Sequence, residues 1–196
     1  MVYDKFKIGF WHPFGQHGRE SPESIINRKR EEIRLNGWTL WSFQFRHTLE
    51  AWRREILAVG DPPVFVFCSD SPKAKDPASS SPPVCTRYTF IGDPEWQPIP
   101  EAVKVPHPFR PRQTTASAFV VQEIFHSVGV FSLPAVEWLS ERKDHSWLSS
   151  RISTRGETMI RPGADVQMRT LRVRAVLELK PPYFAFVGVE PSDELL

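Results

Sequence analysis

Hydrophobic and polar residues alternate most regularly near the C-terminal end of the chain. Apolar residues occupy every second position there, at Leu171, Val173, Ala175, Leu177 and Leu179. A period of two predicts a β-strand with one buried face, because successive side chains of a strand point to opposite sides. The positions in between are mostly charged, so we expect the other face to be polar. Pro181-Pro182 is expected to end this strand, and residues 183–189 to return as its partner.

The first third of the chain combines short apolar runs with helical patterns. Ser21-Pro22-Glu23 is typical of a helix start, because serine accepts hydrogen bonds from free N–H groups and proline suits the first helical position. Gly37 is a typical helix terminator, because glycine adopts left-handed backbone angles easily. We therefore predict, in order, a strand over 5–11, a helix over 22–35, a strand over 38–43, a helix over 49–59 and a strand over 64–68.

The rest of the chain is richer in proline and in short strand-like segments. Residues 70–84 are dominated by serine and proline and are expected to form a loop. We predict strands over 85–91 and 117–125, an extended segment over 98–111 and a short helix over 134–140. The predicted fold class is α+β, with a strongly bent or closed, barrel-like mixed sheet of five to seven strands and two or three flanking helices. A length of 196 residues fits a single domain over 1–196.

The composition indicates a folded protein, because apolar residues make up 40% of the chain and can bury a core. No signal-peptide pattern opens the sequence, and no apolar run approaches the roughly 20 residues of a membrane span. We therefore expect a cytoplasmic protein with no membrane contact and with free thiols at Cys68 and Cys85. Cys68 ends the apolar run 64–68 and is expected to pack as a small core residue.

Positive charge is concentrated in residues 141–175, which we call the basic segment. The whole chain carries a net charge of +2, whereas the basic segment holds eight Lys and Arg residues against four Asp and Glu residues, an excess of +4. Arg151, Arg155 and Arg161 lie there among serine, threonine and glycine. Such mixtures suit phosphate contacts, because the backbone approaches closely and a guanidinium group pairs bidentately with phosphate. The alternative is a solvated loop followed by an exposed strand face.

The N-terminal loop, residues 12–20, holds His12, His17, Arg19 and Glu20 between a predicted strand and a predicted helix. Histidine and glutamate exchange protons near neutral pH, so His12, His17 and Glu20 are the candidate catalytic residues. Their spacing matches no metal motif, and we predict no metal and no cofactor. The chain also lacks a phosphate-binding glycine loop and a Gly-x-Ser-x-Gly nucleophile elbow. The alternative is that His12 caps a turn and His17 is solvated.

Aromatic residues form a further candidate site, since the chain has seven tryptophans. Within the strand 38–43, alternation separates its aromatic side chains between the two faces. A pocket that stacks a base and hydrogen-bonds its edge is predicted from Trp11, Trp38, Trp41, Ser42, Gln44 and Arg46. The alternative is that the tryptophans pack a core between sheet and helix.

Three segments resemble the PUA-like superfamily, in particular its ASCH and EVE branches. Residues 25–43, a helix ending in Asn36-Gly37 before Trp38-Thr39-Leu40-Trp41-Ser42, are similar to the first helix and following strand of that superfamily. Residues 60–69 resemble its glycine-aspartate turn before a barrel strand, and residues 117–124 resemble a later strand that closes the barrel. The resemblance covers about a third of the chain. It implies a small β-barrel with adjacent helices and recognition of RNA or a modified base, with Trp41 and Ser42 where a pocket would be lined.

These patterns lead to a ranked set of functional hypotheses. The first is a nucleic-acid or nucleotide binding module that uses the aromatic pocket, Arg19 and the arginines of the basic segment. The alternative is a small hydrolase that uses His12, His17 and Glu20, with or without a metal. A protein-interaction module using the proline-rich loop at 70–83 is a third class. The sequence favours binding over catalysis because it contains no catalytic motif.

Overall fold

The computed structural model shows an α+β fold in which one mixed β-sheet carries two helices. It describes residues 7–15, 17, 20–43, 49–70, 84–106, 114–133, 136–138, 146–147, 157–162 and 169–189. Only the backbone is described for residues 126–133, 136–138, 146–147, 162 and 169–172. The elements within these ranges are β1 (Gly9–Phe14), α1 (Pro22–Asn36), β2 (Thr39–Phe43), α2 (Leu49–Ala58), β3 (Phe65–Asp70), β4 (Arg87–Phe90), β5 (Gln97–Pro98), β6 (Thr115–Leu133), β7 (Val136–Trp138), β8 (Ser146–Trp147), β9 (Thr158–Pro162) and β10 (Arg169–Gly188).

Both predicted helices are present, and local chemistry sets their ends. Ser21 Oγ accepts a hydrogen bond from the backbone N–H of Ser24, at 3.1 Å, so α1 begins as predicted. Gly37 ends α1 with a φ of 76°, and Gly60 follows α2 with a φ of 85°. Both angles lie in the left-handed region, where glycine has no side chain to clash. Neither described helix is long and apolar enough to cross a membrane.

The sheet is mixed and open. Its strands follow the order β2-β6-β10-β3-β1-β9-β7-β8, with β4 paired to β10 and β5 paired to β4. β1 and β3 run parallel, whereas the other described pairs are antiparallel. Among the described strands, β2 and β8 stand at the two ends of the order and do not pair with each other. The α+β class is therefore confirmed, while the closed, barrel-like form is not.

β1 extends three residues beyond its predicted end at Trp11. His12, Pro13 and Phe14 pair in parallel with Cys68, Ser69 and Asp70 of β3, so this part of the predicted loop is strand. The proline is tolerated because partner strands, not local preference, hold so short a segment extended.

β10 is one continuous strand of 20 residues, so the predicted break at Pro181-Pro182 was wrong. β10 pairs with β6 on both sides of the prolines, through Leu179 with Val121 and Phe184 with Phe119. Between these two pairs β10 contains three more residues than β6. The prolines therefore lie in an irregularity of the ladder, where a missing N–H group is tolerated.

The burial predicted for β10 is confirmed for four of its five residues. Val173, Ala175, Leu177 and Leu179 are at most 2% exposed, and the side chain of Leu171 lies outside the described residues. Val176 points to the opposite face and is fully buried as well. The sequence missed this second buried face, because charged residues alternate with the apolar ones elsewhere in the strand.

The predicted short helix over 134–140 was also wrong. Val136–Trp138 form β7, which pairs with β9 on one side and β8 on the other. Pairing with two neighbouring strands overrides local preference in so short a segment.

Three apolar clusters fill the two sides of the sheet. The helix-side cluster lies under α1 and α2 and contains Phe10, Trp52, Phe119 and Phe184. The Phe10 ring centroid lies 4.8 Å from that of Trp52 and 5.3 Å from that of Phe119. The opposite face carries two smaller clusters, one around Phe67 and one around Val120, which we call the Phe67 cluster and the Val120 cluster.

Candidate functional site

His12 lies at the carboxyl ends of the parallel strands β1 and β3, which we call the carboxyl edge. Its side chain is buried and makes two hydrogen bonds. Nδ1 lies 2.8 Å from Oε1 of Glu157, the residue just before β9. Nε2 lies 3.0 Å from Nε1 of Trp41 on β2. In open sheets with parallel strands, ligands commonly bind outside the carboxyl ends of those strands.

These two hydrogen bonds define the protonation state of the imidazole. The indole N–H of Trp41 can only donate, so Nε2 of His12 must be an unprotonated acceptor. Nδ1 then carries the proton and donates to Glu157. His12 is therefore neutral in this arrangement, and the carboxylate of Glu157 fixes its tautomer.

Aromatic rings enclose His12. The Phe14 ring stacks nearly parallel to the imidazole, with centroids 6.3 Å apart, and the Phe119 and Trp41 rings stand edge-on at 6.1 and 6.2 Å. Both side chains of the His12–Glu157 pair are less than a tenth exposed. The pair therefore lies in an apolar surrounding, where hydrogen bonds are strong and an unpaired polar atom is costly.

Cys68 lies opposite His12 in the parallel ladder and is fully buried. Burial raises the pKa of its thiol well above the ordinary value, and the negative charge of Glu157 raises it further. The thiol is therefore protonated at neutral pH and cannot act as a nucleophile, since only the thiolate attacks. The prediction that Cys68 packs as a core residue is confirmed.

The other candidate catalytic residues belong to a different set of contacts. His17 and Glu20 exchange two backbone hydrogen bonds, at 3.1 and 3.0 Å. The carboxylate of Glu20 accepts two bonds from the guanidinium group of Arg28, at 2.8 and 2.9 Å, which lower the pKa of Glu20. His12 instead bonds Glu157 and Trp41. No group of three His, Cys, Asp or Glu residues in the described ranges is arranged to hold a metal ion.

The charged run 28–32 on α1 contains two buried residues, although such runs of mixed sign usually form a solvated helix face. Lys29 and Glu32 are 3% and 2% exposed. The ammonium group of Lys29 donates to Glu32 Oε2 at 2.8 Å, to Thr39 Oγ1 at 3.2 Å and to the carbonyl oxygen of Lys104 at 2.7 Å. All three of its protons are therefore used.

The carboxylate oxygens of Glu32 are likewise fully used as hydrogen-bond acceptors. Its carboxylate accepts bonds from Lys29, from the Thr39 hydroxyl, from Arg28 and from the backbone N–H of Lys104. Burial lowers the pKa of Lys29 to about 8, although the neighbouring carboxylate of Glu32 opposes that shift. We call these residues the Lys29 network. It joins α1, the edge strand β2 and the segment at Lys104 through these hydrogen bonds.

The structure does not bring the three candidate tryptophans together. Trp41 lies in the helix-side cluster, Trp11 in the Phe67 cluster, and Trp38 packs against the Val120 cluster. Trp11 and Trp41 are at most 5% exposed, which matches the core alternative, whereas Trp38 is half-buried against Tyr88 and Phe90. Ser42 lies on the same face as Trp38, and its hydroxyl donates to the carbonyl oxygen of Pro106.

Most of the predicted polar and cationic contacts lie outside the described residues. These are Arg19, Gln44, Arg46, Arg151 and Arg155. Arg161 is exposed and follows Ile160, which pairs with Gly9, so it lies toward the amino end of β1 and away from His12. Arg174, also in the basic segment, forms ion pairs with Asp70 and Glu23. Part of the segment's positive charge is thus neutralised within the protein.

Glu157 is the main residue of this site that the sequence did not identify. By its position in the sequence it is only one of the four acidic residues that reduce the charge of the basic segment. It lies 145 positions from His12, and no motif or periodicity connects the two. Only the pairing of β1 with β9 brings them together.

The fold and these contacts define an α+β protein with an open mixed sheet and a buried histidine–glutamate pair at the carboxyl edge. No family model matches the chain, no curated protein is similar to it, and no solved structure matches it.

Proposed function

We propose that the protein binds a nucleic acid or a nucleotide at the carboxyl edge. The observation that carries this proposal is the hydrogen bond between His12 and Glu157. It joins the N-terminal loop to the middle of the basic segment, two regions that were each predicted to contact a ligand for separate reasons. Arg155 is two residues before Glu157, so the covalent chain alone keeps their Cα atoms within about 7 Å.

The proposal assigns different roles to the arginines and to the aromatic residues. Arg19, Arg151 and Arg155 would contact phosphates, because Arg19 belongs to the N-terminal loop and the other two arginines to the basic segment. Trp41 would hold His12 in place and would not stack a base, since its ring is buried. RNA and modified bases are the ligand class that the resemblance to the PUA-like superfamily implies. The described sheet is open and is not the closed barrel that this resemblance implies, so the resemblance contributes only the ligand class to the proposal.

The test is a titration of labelled single-stranded RNA, single-stranded DNA and duplexes, with and without modified bases, at several salt concentrations. Each arginine that meets a phosphate releases about one counterion, so Arg151→Ala and Arg155→Ala should each lower the salt slope by about one. Arg34→Ala is the matched control. Arg34 is an exposed arginine of α1 paired with Glu31, and its removal should leave the slope unchanged. Absence of binding to every probe at low salt would contradict the proposal.

A hydrolase remains a second candidate because a carboxylate orients His12, as in many general bases. The obstacle is that Nε2 of His12 already accepts a hydrogen bond from Trp41. Trp41→Phe removes that bond and frees Nε2. A hydrolase should therefore keep or gain turnover of ester, amide or phosphate substrates in Trp41→Phe and lose it in His12→Gln. Turnover that is absent in both variants and in the unaltered protein excludes this candidate.

A further inference from the structure

Arg87 and Trp96 form a cationic and aromatic pair at the β4–β5 hairpin, apart from the carboxyl edge. The guanidinium carbon of Arg87 lies 4.7 Å from the centroid of the Trp96 ring. Trp96 is 38% exposed, which makes it one of the few large apolar side chains open to solvent in the described ranges. A guanidinium group stacked on an indole is held in a fixed orientation, because the ring attracts the cation.

Arg87 differs from other arginines of the fold in having no described anionic partner. Arg28, Arg34 and Arg174 each pair with a carboxylate within the described part of the chain. The Nε atom of Arg87, in contrast, is enclosed by protein and has no hydrogen-bond partner among the described residues. Because Nε is enclosed, a bound anion would reach the terminal N–H groups of Arg87, for which the described residues supply no carboxylate.

The surrounding backbone holds this pair rigidly. Arg87 pairs with Pro98 of β5 and with Gly188 of β10, and the adjacent Tyr88 hydroxyl bonds the side chain of Gln97 at 3.0 Å. A Cβ at Gly188 would meet the carbonyl oxygen of Thr114 at 2.9 Å and the edge of the Trp96 ring at 3.6 Å. The absence of a side chain at Gly188 therefore allows Thr114 and Trp96 to lie close to β10.

We propose that Arg87 and Trp96 bind a planar ring that carries an anion, of the class of a nucleotide. The exposed surface of the indole would stack the ring, and the N–H groups of Arg87 would bond the phosphate. The site stands on its own observations and does not rest on the proposed function at the carboxyl edge. The nearby carboxylate of Asp93 accepts the backbone N–H of Glu95, so it is engaged in the turn that precedes Trp96.

The test uses adenosine 5′-monophosphate as the probe and the ¹⁵N-labelled full chain as the sample. NMR titration should shift the indole N–H signal of Trp96 and the Nε–H signal of Arg87. Affinity should fall at least tenfold in both Arg87→Gln and Trp96→Leu. Arg34→Gln and Trp38→Phe are the matched controls and should retain the affinity of the unaltered protein. Adenosine alone and inorganic phosphate alone should each bind much more weakly, because each supplies half of the ligand.

Three results would overturn this proposal. One is the absence of any shift at millimolar nucleotide, and another is binding that survives both variants with folding confirmed by circular dichroism. The third concerns the acidic residues Glu190, Asp193 and Glu194, which follow β10 in the chain. If their joint replacement by the corresponding amides moves the Arg87 Nε–H signal without ligand, an internal carboxylate is its partner.

Discussion

The protein buries two groups of polar side chains, the Lys29 network and the His12–Glu157–Trp41 group. They differ in how completely their hydrogen-bonding atoms are paired. In the Lys29 network every ammonium proton has an acceptor, and the Glu32 carboxylate receives four donors. Two of its members, Lys29 and Glu32, are one helical turn apart. The His12 group joins three separate segments through two hydrogen bonds and lies among aromatic rings.

The difference separates a structural network from a candidate site. A saturated network leaves no atom for a ligand and acts as a clamp on the edge strand β2. The His12 group lies at the carboxyl edge and contains the first residue of the N-terminal loop, His12, and a residue from the middle of the basic segment, Glu157. Substitutions in the Lys29 network should therefore affect mainly the stability of the fold. Substitutions in the His12 group should also affect ligand binding.

The largest effect is expected from Glu32→Gln. This change leaves the ammonium group of Lys29 buried beside Arg28 without a negative partner, and breaking a buried ion pair in this way costs about 3–5 kcal/mol. Urea unfolding measures the loss. The matched control is Glu31→Gln, one residue earlier, whose partner Arg34 is exposed, and it should change stability little. A Glu32→Gln protein as stable as its control would mean that the network is not a clamp.

A pH dependence of stability should follow from Lys29. Its pKa is about 8 in the folded protein against 10.5 for an ordinary lysine, so between these values the unfolded chain holds a proton that the folded chain has lost. The free energy of unfolding should therefore rise from pH 8 to pH 10.5, by up to about 3 kcal/mol. Below pH 8 the full cost of burying the charge is present.

Lys29→Met isolates this contribution, because other groups titrate in the same range. The difference in unfolding free energy between the unaltered protein and Lys29→Met, measured by denaturant titration at each pH, should change through this window in the stated direction. A difference that stays constant from pH 7.5 to pH 10.5 would show that Lys29 keeps an ordinary pKa.

His12→Leu should have a smaller effect on stability, about 2–3 kcal/mol. Leucine fills a similar space but leaves the Glu157 carboxylate and the Trp41 N–H buried without their described partner. Glu157→Gln should cost less than about 1 kcal/mol, because the amide oxygen still accepts the proton on Nδ1 of His12. The reverse order in thermal unfolding would mean that the carboxylate charge, and not the acceptor oxygen, holds the histidine.

Trp41→Phe should have an effect between those of His12→Leu and Glu157→Gln, about 1 kcal/mol from the lost hydrogen bond to Nε2 of His12. Trp38→Phe is the control, because Trp38 packs on its neighbours without a described hydrogen bond. Long-range ¹H–¹⁵N NMR spectra report the His12 tautomer directly. We expect the proton on Nδ1 in the unaltered protein, and a proton on Nε2 would contradict the assigned hydrogen-bond pattern.

The sequence predicted the features that local chemistry determines. Ser21 and Gly37 mark the ends of α1 because capping depends on residues within one turn. The apolar face of β10 followed from a period of two. The burial of Lys29 could also have been recognised, because Ile25, Lys29 and Glu32 fall at i, i+4 and i+7, on one stripe of the helix. Because Lys29 and Glu32 are charged, this stripe was not recognised as a buried helix face.

The contacts that sequence could not predict depend on the arrangement of the strands. Glu157 meets His12 only because β9 pairs with β1, and neither residue carries a local signal of the other. Trp11, Trp38 and Trp41 were predicted to line one pocket because they flank two strands that were expected to be neighbours, whereas β6, β10 and β3 lie between β2 and β1. The sheet separates them, since Trp11 and Trp41 point to opposite sides and Trp38 packs against another cluster.

The central position of β10 has a consequence for how the chain folds during its synthesis. β10 lies between β6 and β3, and its Glu178 pairs with Phe65 of β3. The ribosome makes the first 70 residues, with both helices, long before this partner exists. Until β10 is made, the apolar strand β3 has no partner on the edge that later pairs with β10. An unpaired apolar strand edge favours aggregation or chaperone binding. Because so many pairings join distant residues, we expect folding on the order of milliseconds to seconds, and only after β10 has left the ribosome.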